Sequence, residues 1–226
     1  MTPDERFQRI QDIVLDSFWP LLHAGIEVTI PLTLISFALG LILAVLTALA
    51  RLSGYAPLSL LARFYVWIVR GTPLLVQLFI IFYGLPSIGV IIDPFPAAVI
   101  GFSLSVGAYG SEIVRAAIQS IPKGQWEAAY SIGMTYWQAF RRVIMPQATR
   151  VSLPPFGNSF ISLVKDTSLA ATITVTEMFR VGQQITATTY EPLVLYSEAA
   201  VIYLLFSTIL SALQNRLEAR FSRHIA

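Results

Sequence analysis

Cysteine is absent from the 226 residues of this chain, and charged residues make up only 12% of them. Without cysteine there is no disulfide framework and no thiolate metal site. A soluble domain of this length carries about twice as many charged residues. Because 55% of the residues are hydrophobic, the apolar surface has no water-excluding place to go except a membrane. The composition therefore indicates a membrane protein.

Catalytic motifs are missing as well. The sequence has no G-x-x-x-x-G-K-[ST] loop to cradle a phosphate, so we expect no ATP site in this chain. It also has no G-x-S-x-G nucleophile elbow, no H-E-x-x-H motif and no Cys/His cluster. We therefore expect the chain to be no enzyme and to bind no metal or cofactor itself. If it carries a solute uphill, the energy comes from a partner or from an ion gradient.

Five apolar segments are candidate transmembrane helices. The clearest runs from Ile30 to Ala50 without a charged residue, enough to cross about 30 Å of hydrocarbon. The other four lie at about 60–84, 97–118, 151–164 and 192–213. The second is interrupted by Arg70-Gly71-Thr72-Pro73, and the fourth is weaker because it contains two prolines, a glycine and an asparagine. We predict an all-α membrane protein with about five transmembrane helices.

The charges predict which ends of these helices face the cytoplasm. Residues 1–22 read as an amphipathic, interfacial segment, 23–215 as the transmembrane domain and 216–226 as a basic cytoplasmic tail. Five spans place ten basic residues on one face, namely Arg51, Arg63, Arg115, Lys123, Arg141, Arg142, Arg150, Arg216, Arg220 and Arg223. The opposite face receives Arg6, Arg9 and Arg180. By the positive-inside rule, the N-terminus lies outside and the C-terminus lies in the cytoplasm of a multi-pass protein.

The polar stretch at about 123–146, KGQWEAAYSIGMTYWQAFRRVIMP, falls on the cytoplasmic side in this topology. Glu127-Ala128-Ala129 is expected on a short helix, whose small residues allow a partner to approach closely. Gly133 then permits a sharp turn, and a second helical piece from about Thr135 is expected to end at Pro146. We interpret the stretch as a docking element for another protein. An ordinary amphipathic loop helix is the alternative.

Ionisable residues inside the predicted spans are the candidate solute contacts. Arg70 costs about 2.5–3.5 kcal/mol to insert at a span centre, so it should face protein or water. It either lines a pathway or pairs with an acid. Lys165 and Asp166 point about 100° apart on a helix and should meet different neighbours. They either bind solute or belong to an intersubunit ion-pair network. Glu112 is placed to pair with Arg115 at i,i+3.

Three motifs carry a resemblance to a known family. EAA at 127–129 with Gly133 and Pro146 resembles the cytoplasmic coupling loop of ABC-importer permeases. RGTPLLVQL from Arg70 and KDTSL from Lys165 resemble motifs of the polar amino-acid branch. KGQWEAA, SIGMT and SFISLVKDTSLAATI look most like bacterial L-cystine permeases. The resemblance extends from the first span to Gln214-Asn215.

The resemblance implies a type I ABC-importer permease fold in the bacterial inner membrane. It implies docking of an ATPase through Glu127, Ala128, Ala129, Gly133 and Pro146. For the solute pathway the candidates are Arg70, Thr72, Gln77, Tyr109, Glu112, Lys165, Asp166 and Ser168. Arg70 or Lys165 would meet the carboxylate of an amino acid, and Asp166 or Glu112 its ammonium group.

The same resemblance supplies the expected partners. These are two ATP-binding subunits that carry ATP and Mg, an extracytoplasmic solute-binding protein, a second permease copy or a paralogue, and membrane lipid. No nucleic-acid partner is expected, because the basic residues lie beside apolar spans. A channel or ion-coupled carrier that works without an ATPase is the alternative function. It would need a titrating or cation-binding acid within the membrane, for which Glu112 and Asp166 are the candidates.

Overall fold

A computed structural model of the chain describes residues 2–222. This part of the chain is helical, with no β-strand among the described residues. The α-helices are α1 (Pro3–Ala24), α2 (Ile30–Leu52), α3 (Ala56–Gly71), α4 (Leu74–Phe79), α5 (Pro94–Gln119), α6 (Lys123–Ser131), α7 (Tyr136–Ala139), α8 (Met145–Asp166), α9 (Met178–Thr189) and α10 (Pro192–Ser222). The π-helical turns are Gly25–Thr29, Ile80–Gly84 and Phe140–Ile144, and the 3₁₀ turns are Leu85–Ile88 and Thr167–Ile173.

Several helix boundaries agree with the sequence pattern. The predicted first and third spans are α2 and α5, and the second is broken after Gly71, where the chain bends by 105°. Thr72 is extended with φ −123° and ψ 147°. This follows from the sequence, because a residue that precedes proline is pushed out of the α-helical region. Gly133 has a φ of +79° and forms the predicted turn.

The expected helix break at Pro146 is wrong. Residues from Tyr136 onward stay helical through a π-turn and continue in α8 to Asp166. In the π-turn the Met145 N–H donates to the Phe140 carbonyl, five residues back, so the regular ladder is already interrupted where proline lacks its donor. The predicted basic tail is described only in its first part. Residues 216–222 continue α10, and 223–226 of the predicted basic tail lie outside the described residues.

Three helical stretches within residues 2–222 are long and apolar enough to cross a membrane: Pro3–Leu52, Pro94–Gln119 and Pro192–Ala219. They become four when the bent pair α3 and Leu74–Ile88 is counted as one span. The predicted fourth span lies in α8, which has 22 residues but is not apolar enough to be counted among these stretches. Its two internal prolines, Pro154 and Pro155, do not stop the helix.

The chain divides into two compact units. The first unit comprises Met1–Phe37, Leu74–Phe102 and Ile161–Leu210, and the second comprises Ala38–Pro73, Ser103–Phe160 and Ser211–Ala226. The chain therefore passes between the units five times. Each passage falls inside one of the five segments that the sequence predicts as spans.

Each unit has its own apolar core. In the first unit, buried Leu21 of α1 packs with Met178 of α9 and with Leu195, Ala199 and Ile202 of α10. In the second unit, a core forms between α2, α5 and the helical segments from 136 to 148. Small residues bring α2 and α5 close together there. A Cβ at Gly40 would lie 2.5 Å from the Val106 Cβ, and one at Gly110 would lie 2.8 Å from that of Ala44. Such close backbone approach is typical of membrane helix packing.

Candidate solute pathway and docking helix

The second unit gathers three arginine side chains around Glu112 of α5. The Arg51 Nη1, at the end of α2, lies 2.5 Å from Glu112 Oε1. The Arg115 Nη2, one turn along α5, lies 2.6 Å from Oε2, and its Nε also donates to that oxygen at 3.0 Å. The Arg70 Nη1, at the end of α3, lies 3.2 Å from Oε1. One carboxylate therefore ties the ends of two helices to α5.

The cluster is unbalanced in charge. Three guanidinium groups share one carboxylate, and an arginine stays charged at any physiological pH. The side-chain exposures of Arg51, Glu112, Arg115 and Arg70 are 15%, 22%, 33% and 43%. Arg51 is thus the most buried member and Arg70 the most accessible. The guanidinium carbon of Arg70 also lies 5.3 Å from the centre of the Tyr109 ring, within cation–π range.

The predicted pairing of Glu112 with Arg115 is present, and the structure adds Arg51 to it. The sequence identifies Arg51 only as one of the ten basic residues of the predicted cytoplasmic face, because 61 positions separate it from Glu112 and no local pattern connects them. Glu112 was predicted as a candidate partner for an ammonium group. Both of its oxygens accept from arginines instead.

KDTSL bridges α8 and the following 3₁₀ turn in the first unit. Lys165 and Asp166 are exposed, and no described residue lies within ion-pairing distance of either side chain. Thr167 is buried and its hydroxyl donates to the Val164 carbonyl at 2.6 Å. Ser168 donates to the Lys165 carbonyl at 2.7 Å. The motif therefore fixes its own backbone with hydroxyls and leaves the two charges accessible.

The other predicted pathway residues divide between the units. Arg70, Thr72 and Tyr109 belong to the second unit with Glu112, whereas Gln77 of α4 belongs to the first unit with KDTSL. In the first unit, α4 packs against the 3₁₀ turn 167–173. Close by, the Tyr83 hydroxyl donates to the Thr172 carbonyl at 3.0 Å. Thr72 donates to the Ile68 carbonyl at 2.9 Å, which helps to end α3.

Two acids of the first unit were not singled out from the sequence. Glu177 is fully buried and caps α9, accepting from the backbone N–H groups of Phe179 at 2.9 Å and Arg180 at 2.7 Å. The Tyr203 hydroxyl of α10 also donates to it, at 2.8 Å. An acid immediately before a helix is a recognisable capping signal. The second acid, Glu198, is 9% exposed and contacts the hydroxyl of Ser17.

The predicted docking element is built around a stack of aromatic rings. Trp126 of α6 stacks on Tyr136 and Phe140, with ring centroids 5.4 and 6.3 Å apart. This stack holds α6 against the helical segment that leads into α8. Glu127, Ala128, Gly133 and Pro146 are exposed, as a docking surface requires. Ala129 is only 3% exposed, so its side chain supports α6 from within rather than facing a partner.

No group of three or more His, Asp or Glu side chains within residues 2–222 is arranged to hold a metal ion.

Comparison with known proteins identifies the family. The family described as the inner membrane component of binding-protein-dependent transport systems matches residues 36–223. The chain belongs to this family of permeases. It is 57% identical, over 95% of its length and 92% of the relative's, to the L-cystine transport system permease protein TcyB of Bacillus subtilis. It is 40% identical to the glutamine transport system permease protein GlnP of Escherichia coli, over 89% and 93% of the two chains.

Solved structures agree with this assignment. The permease resembles a chain from an amino acid ABC transporter crystallised with histidines at 36% identity and a TM-score of 0.87, with 91% of this chain and 96% of that one covered. It also matches a chain of the inward-facing MetNI methionine transporter at 20% identity and a TM-score of 0.69, a likeness of fold alone. The predicted all-α, type I importer fold and the predicted permease family are confirmed.

Proposed function

We propose that this permease imports L-cystine as the membrane subunit of an ATP-driven transporter. The observation that carries the proposal is the 57% identity, over nearly the whole of both chains, to a protein named as an L-cystine permease. Relatives at about 40% identity are named for glutamine and nopaline. The family members similar to this chain are therefore named for amino acids and their derivatives, and within that class we propose cystine as the substrate of this permease.

The partners follow from the family. Two ATP-binding subunits hydrolyse ATP with Mg on the cytoplasmic side, an extracytoplasmic protein delivers the solute, and a second permease copy or a paralogue completes the pathway. The exposed Glu127, Ala128 and Gly133 of the docking element support a contact with the ATPase. Exposed Ile132 and Trp137 beside them, 73% and 61% accessible, provide apolar area for the same contact.

We propose that the N-terminus lies outside and the C-terminus in the cytoplasm of a bacterial inner membrane. The two units support this orientation. Every described basic residue that the positive-inside rule assigns to the cytoplasmic face belongs to the second unit. The three assigned to the outer face, Arg6, Arg9 and Arg180, belong to the first unit. The docking element also belongs to the second unit, which agrees with a contact to a cytoplasmic ATPase.

The contacts narrow the roles of the proposed pathway residues. Glu112 faces three guanidinium groups, so a substrate ammonium would have to displace an arginine and approach a cluster of excess positive charge. Asp166 has no such competitor among the described residues and is the better ammonium acceptor. Arg70, the most exposed arginine of the cluster, and Lys165 remain the candidates for a carboxylate. Thr72 and Tyr109 would supply polar contacts in the second unit, and Gln77 and Ser168 in the first.

Uptake of labelled cystine into sealed vesicles tests the function. With the ATPase subunits and the binding protein present, we expect accumulation that requires ATP, and competition by cystine rather than by glutamine. Accumulation that persists without the ATPase subunits would instead support the ion-coupled carrier.

The docking role has a separate test. Glu127→Lys should leave the permease inserted but reduce the amount of ATPase that co-purifies, because a reversed charge now faces the partner. Glu27→Lys, at an exposed acid of the first unit, is the matched control and should leave co-purification unchanged. Normal co-purification and uptake in the Glu127→Lys variant would refute the docking role.

A further inference from the structure

Glu198 of α10 is a buried acid, and one of its carboxylate oxygens accepts no hydrogen bond from a described residue. Its side chain is 9% exposed. Its Oε2 contacts the hydroxyl of Ser17 on α1, whereas its Oε1 is buried and has no hydrogen-bond partner among the described residues. No described Lys, Arg or His lies within ion-pairing distance of it. A buried carboxylate oxygen without a donor is costly, so the site requires an N–H or O–H group from elsewhere.

Ser17 does not fully satisfy even the oxygen that it contacts. A serine hydroxyl has a single hydrogen to donate. The Ser17 Oγ lies 2.7 Å from the Ile13 carbonyl one turn earlier on α1, as well as beside Glu198. The hydroxyl therefore serves one acceptor at the expense of the other. This increases the need for a donor at Glu198.

Glu198 lies on the wall of an apolar groove in the first unit. The groove has a volume of about 430 Å³, within the range of small-ligand sites. Val14 and Phe18 of α1 form one side, and Leu193, Val201 and Ile202 of α10 form the other. Apart from Glu198 and Ser197, every lining side chain is apolar. A matching ligand is an apolar chain that bears one strong hydrogen-bond donor, and a positive charge on the donor would complement the carboxylate.

The surroundings of the groove indicate where that ligand comes from. The stretch Pro192–Ala219 is apolar enough to cross a membrane, and most of its apolar window is not buried within this chain. Leu193 is 80% exposed and Val201 55%. Glu198 lies six residues after Pro192, so it is about 9 Å along the helix axis from the start of α10. An acid near the end of an exposed apolar helix is within reach of lipid headgroups, while the helix below it contacts acyl chains.

We propose that this groove binds a phospholipid with a primary ammonium headgroup, of the phosphatidylethanolamine class. Rotation of the Glu198 side chain turns Oε1 toward the groove, where the ammonium donates to it, and an acyl chain lies along Phe18, Val201 and Ile202. The site is distinct from the solute pathway and does not depend on which amino acid is transported. Choline lipids have similar shape and charge, but their quaternary ammonium has no N–H to donate. The structure therefore assigns a preference for ethanolamine over choline lipids.

Lipid retention measures this preference directly. The full-length permease, purified with its associated subunits, is reconstituted into vesicles of equal parts phosphatidylethanolamine and phosphatidylcholine and released for native mass spectrometry. We expect about tenfold more ethanolamine than choline lipid to stay bound, because one charge-assisted hydrogen bond raises the affinity by about this factor. Glu198→Gln should abolish the preference. Glu191→Gln, the same change seven residues earlier, should retain it.

Several outcomes would overturn the proposal. Equal retention of the two lipids by the unaltered permease would mean that Glu198 holds its own proton and needs no donor. A preference that survives in Glu198→Gln would place the lipid elsewhere. Ser17→Ala removes the competing hydroxyl but keeps the carboxylate, and its loss of the preference would also count against the proposal. Because the chain has no cysteine, Val201→Cys gives a single thiol. A disulfide between two such copies would show that a second permease fills the groove.

Discussion

Glu112 and Glu198 are both acids of predicted transmembrane helices, and their surroundings are opposite. Glu112 faces three arginines from three helices of the second unit, whereas Glu198 in the first unit contacts one hydroxyl and no cation among the described residues. Both are largely removed from water. The first acid is a structural centre that joins helix ends. The second is incomplete within its own unit and needs a donor that the described chain does not provide.

The comparison of Glu112 with Glu198 shows that a cluster with many charges is not necessarily a site that can bind a ligand. The Glu112 cluster contains three arginines and one acid, but each carboxylate oxygen there already has an arginine. Among the candidate solute contacts, Lys165 and Asp166 are accessible and form no ion pair with a described residue, and Glu198 Oε1 is a buried acceptor without a donor there. In a membrane, where unpaired charge is expensive, the sites open to a ligand are those without a partner in the chain. Four substitutions test this distinction, in order of expected effect.

Glu112→Gln should have the largest effect on stability. Without the carboxylate, three guanidinium groups lie near one another with no counter-charge, and breaking a buried ion pair by removing one partner costs about 3–5 kcal/mol. Because Glu112 is partly exposed, we expect about 3 kcal/mol, at the low end of that range. A lower thermal-unfolding midpoint of the detergent-solubilised permease would register the loss. The double variant Glu112→Gln, Arg115→Gln should recover part of it, and an unchanged midpoint in the single variant would contradict the structural role.

Glu177→Gln should come next. Glu177 is an acid without a cation, but unlike Glu198 it has donors for both oxygens: two backbone N–H groups of α9 and the Tyr203 hydroxyl. The glutamine amide keeps one oxygen that accepts hydrogen bonds, but its NH₂ group cannot accept from the donors that now bind the second carboxylate oxygen. Loss of a hydrogen bond to a buried charged group costs about 1.5–3 kcal/mol. Hydrogen exchange at the first turn of α9 should speed up. If exchange there matches the unaltered permease, Glu177 is not the cap that holds this helix.

The same residues show how far the sequence predicts this molecule. Charge-free segments gave the apolar spans, and the glycine and proline at 71–73 gave the helix break, because both signals act over a few residues. The i,i+3 spacing likewise predicted the contact between Glu112 and Arg115. The partner at Arg51 comes from a different helix, so only the packing of α2 against α5 reveals it. The groove at Glu198 is equally hidden from the local sequence, because one of its sides belongs to α1 and the other to α10.

Prolines inside helices were harder to predict than the break before Pro73. Pro146 and the pair Pro154-Pro155 all lie inside a continuous helix in spite of their missing N–H groups. Near the pair, the side chain of Gln214 donates to the Pro154 carbonyl at 3.2 Å. It occupies the space that a Cβ on Gly157 would need, at 2.4 Å. This contact comes from α10, so the sequence around the two prolines of α8 does not predict it.

Arg70→Gln should have a smaller effect on stability than Glu112→Gln, because it removes one cation from an overcrowded cluster. Its guanidinium group is 43% exposed, and its ion pair at 3.2 Å is the longest of the three. We expect a change of about 1 kcal/mol or less. If Arg70 lines the pathway, cystine uptake should fall at unchanged protein abundance. Arg63→Gln, at an exposed arginine of the same helix, is the control. A fall in abundance that matches the fall in uptake would make Arg70 structural only.

Glu198→Gln should have the smallest effect on stability, and its sign should depend on the lipid. In phosphatidylcholine no donor reaches the buried oxygen, so replacing a carboxylate by a neutral amide should leave the permease as stable or stabilise it by up to about 1 kcal/mol. In phosphatidylethanolamine the unaltered permease gains the free energy of the bound ammonium, because a ligand that binds only the folded state raises its stability. The variant lacks this gain and should now be the less stable of the two. The test is to measure the thermal-unfolding midpoints of the unaltered permease and of the variant in each of the two lipids. If the two midpoints keep the same order in both lipids, Glu198 needs no hydrogen-bond donor from the lipid. The contrast between Glu198 and Glu112 would then disappear.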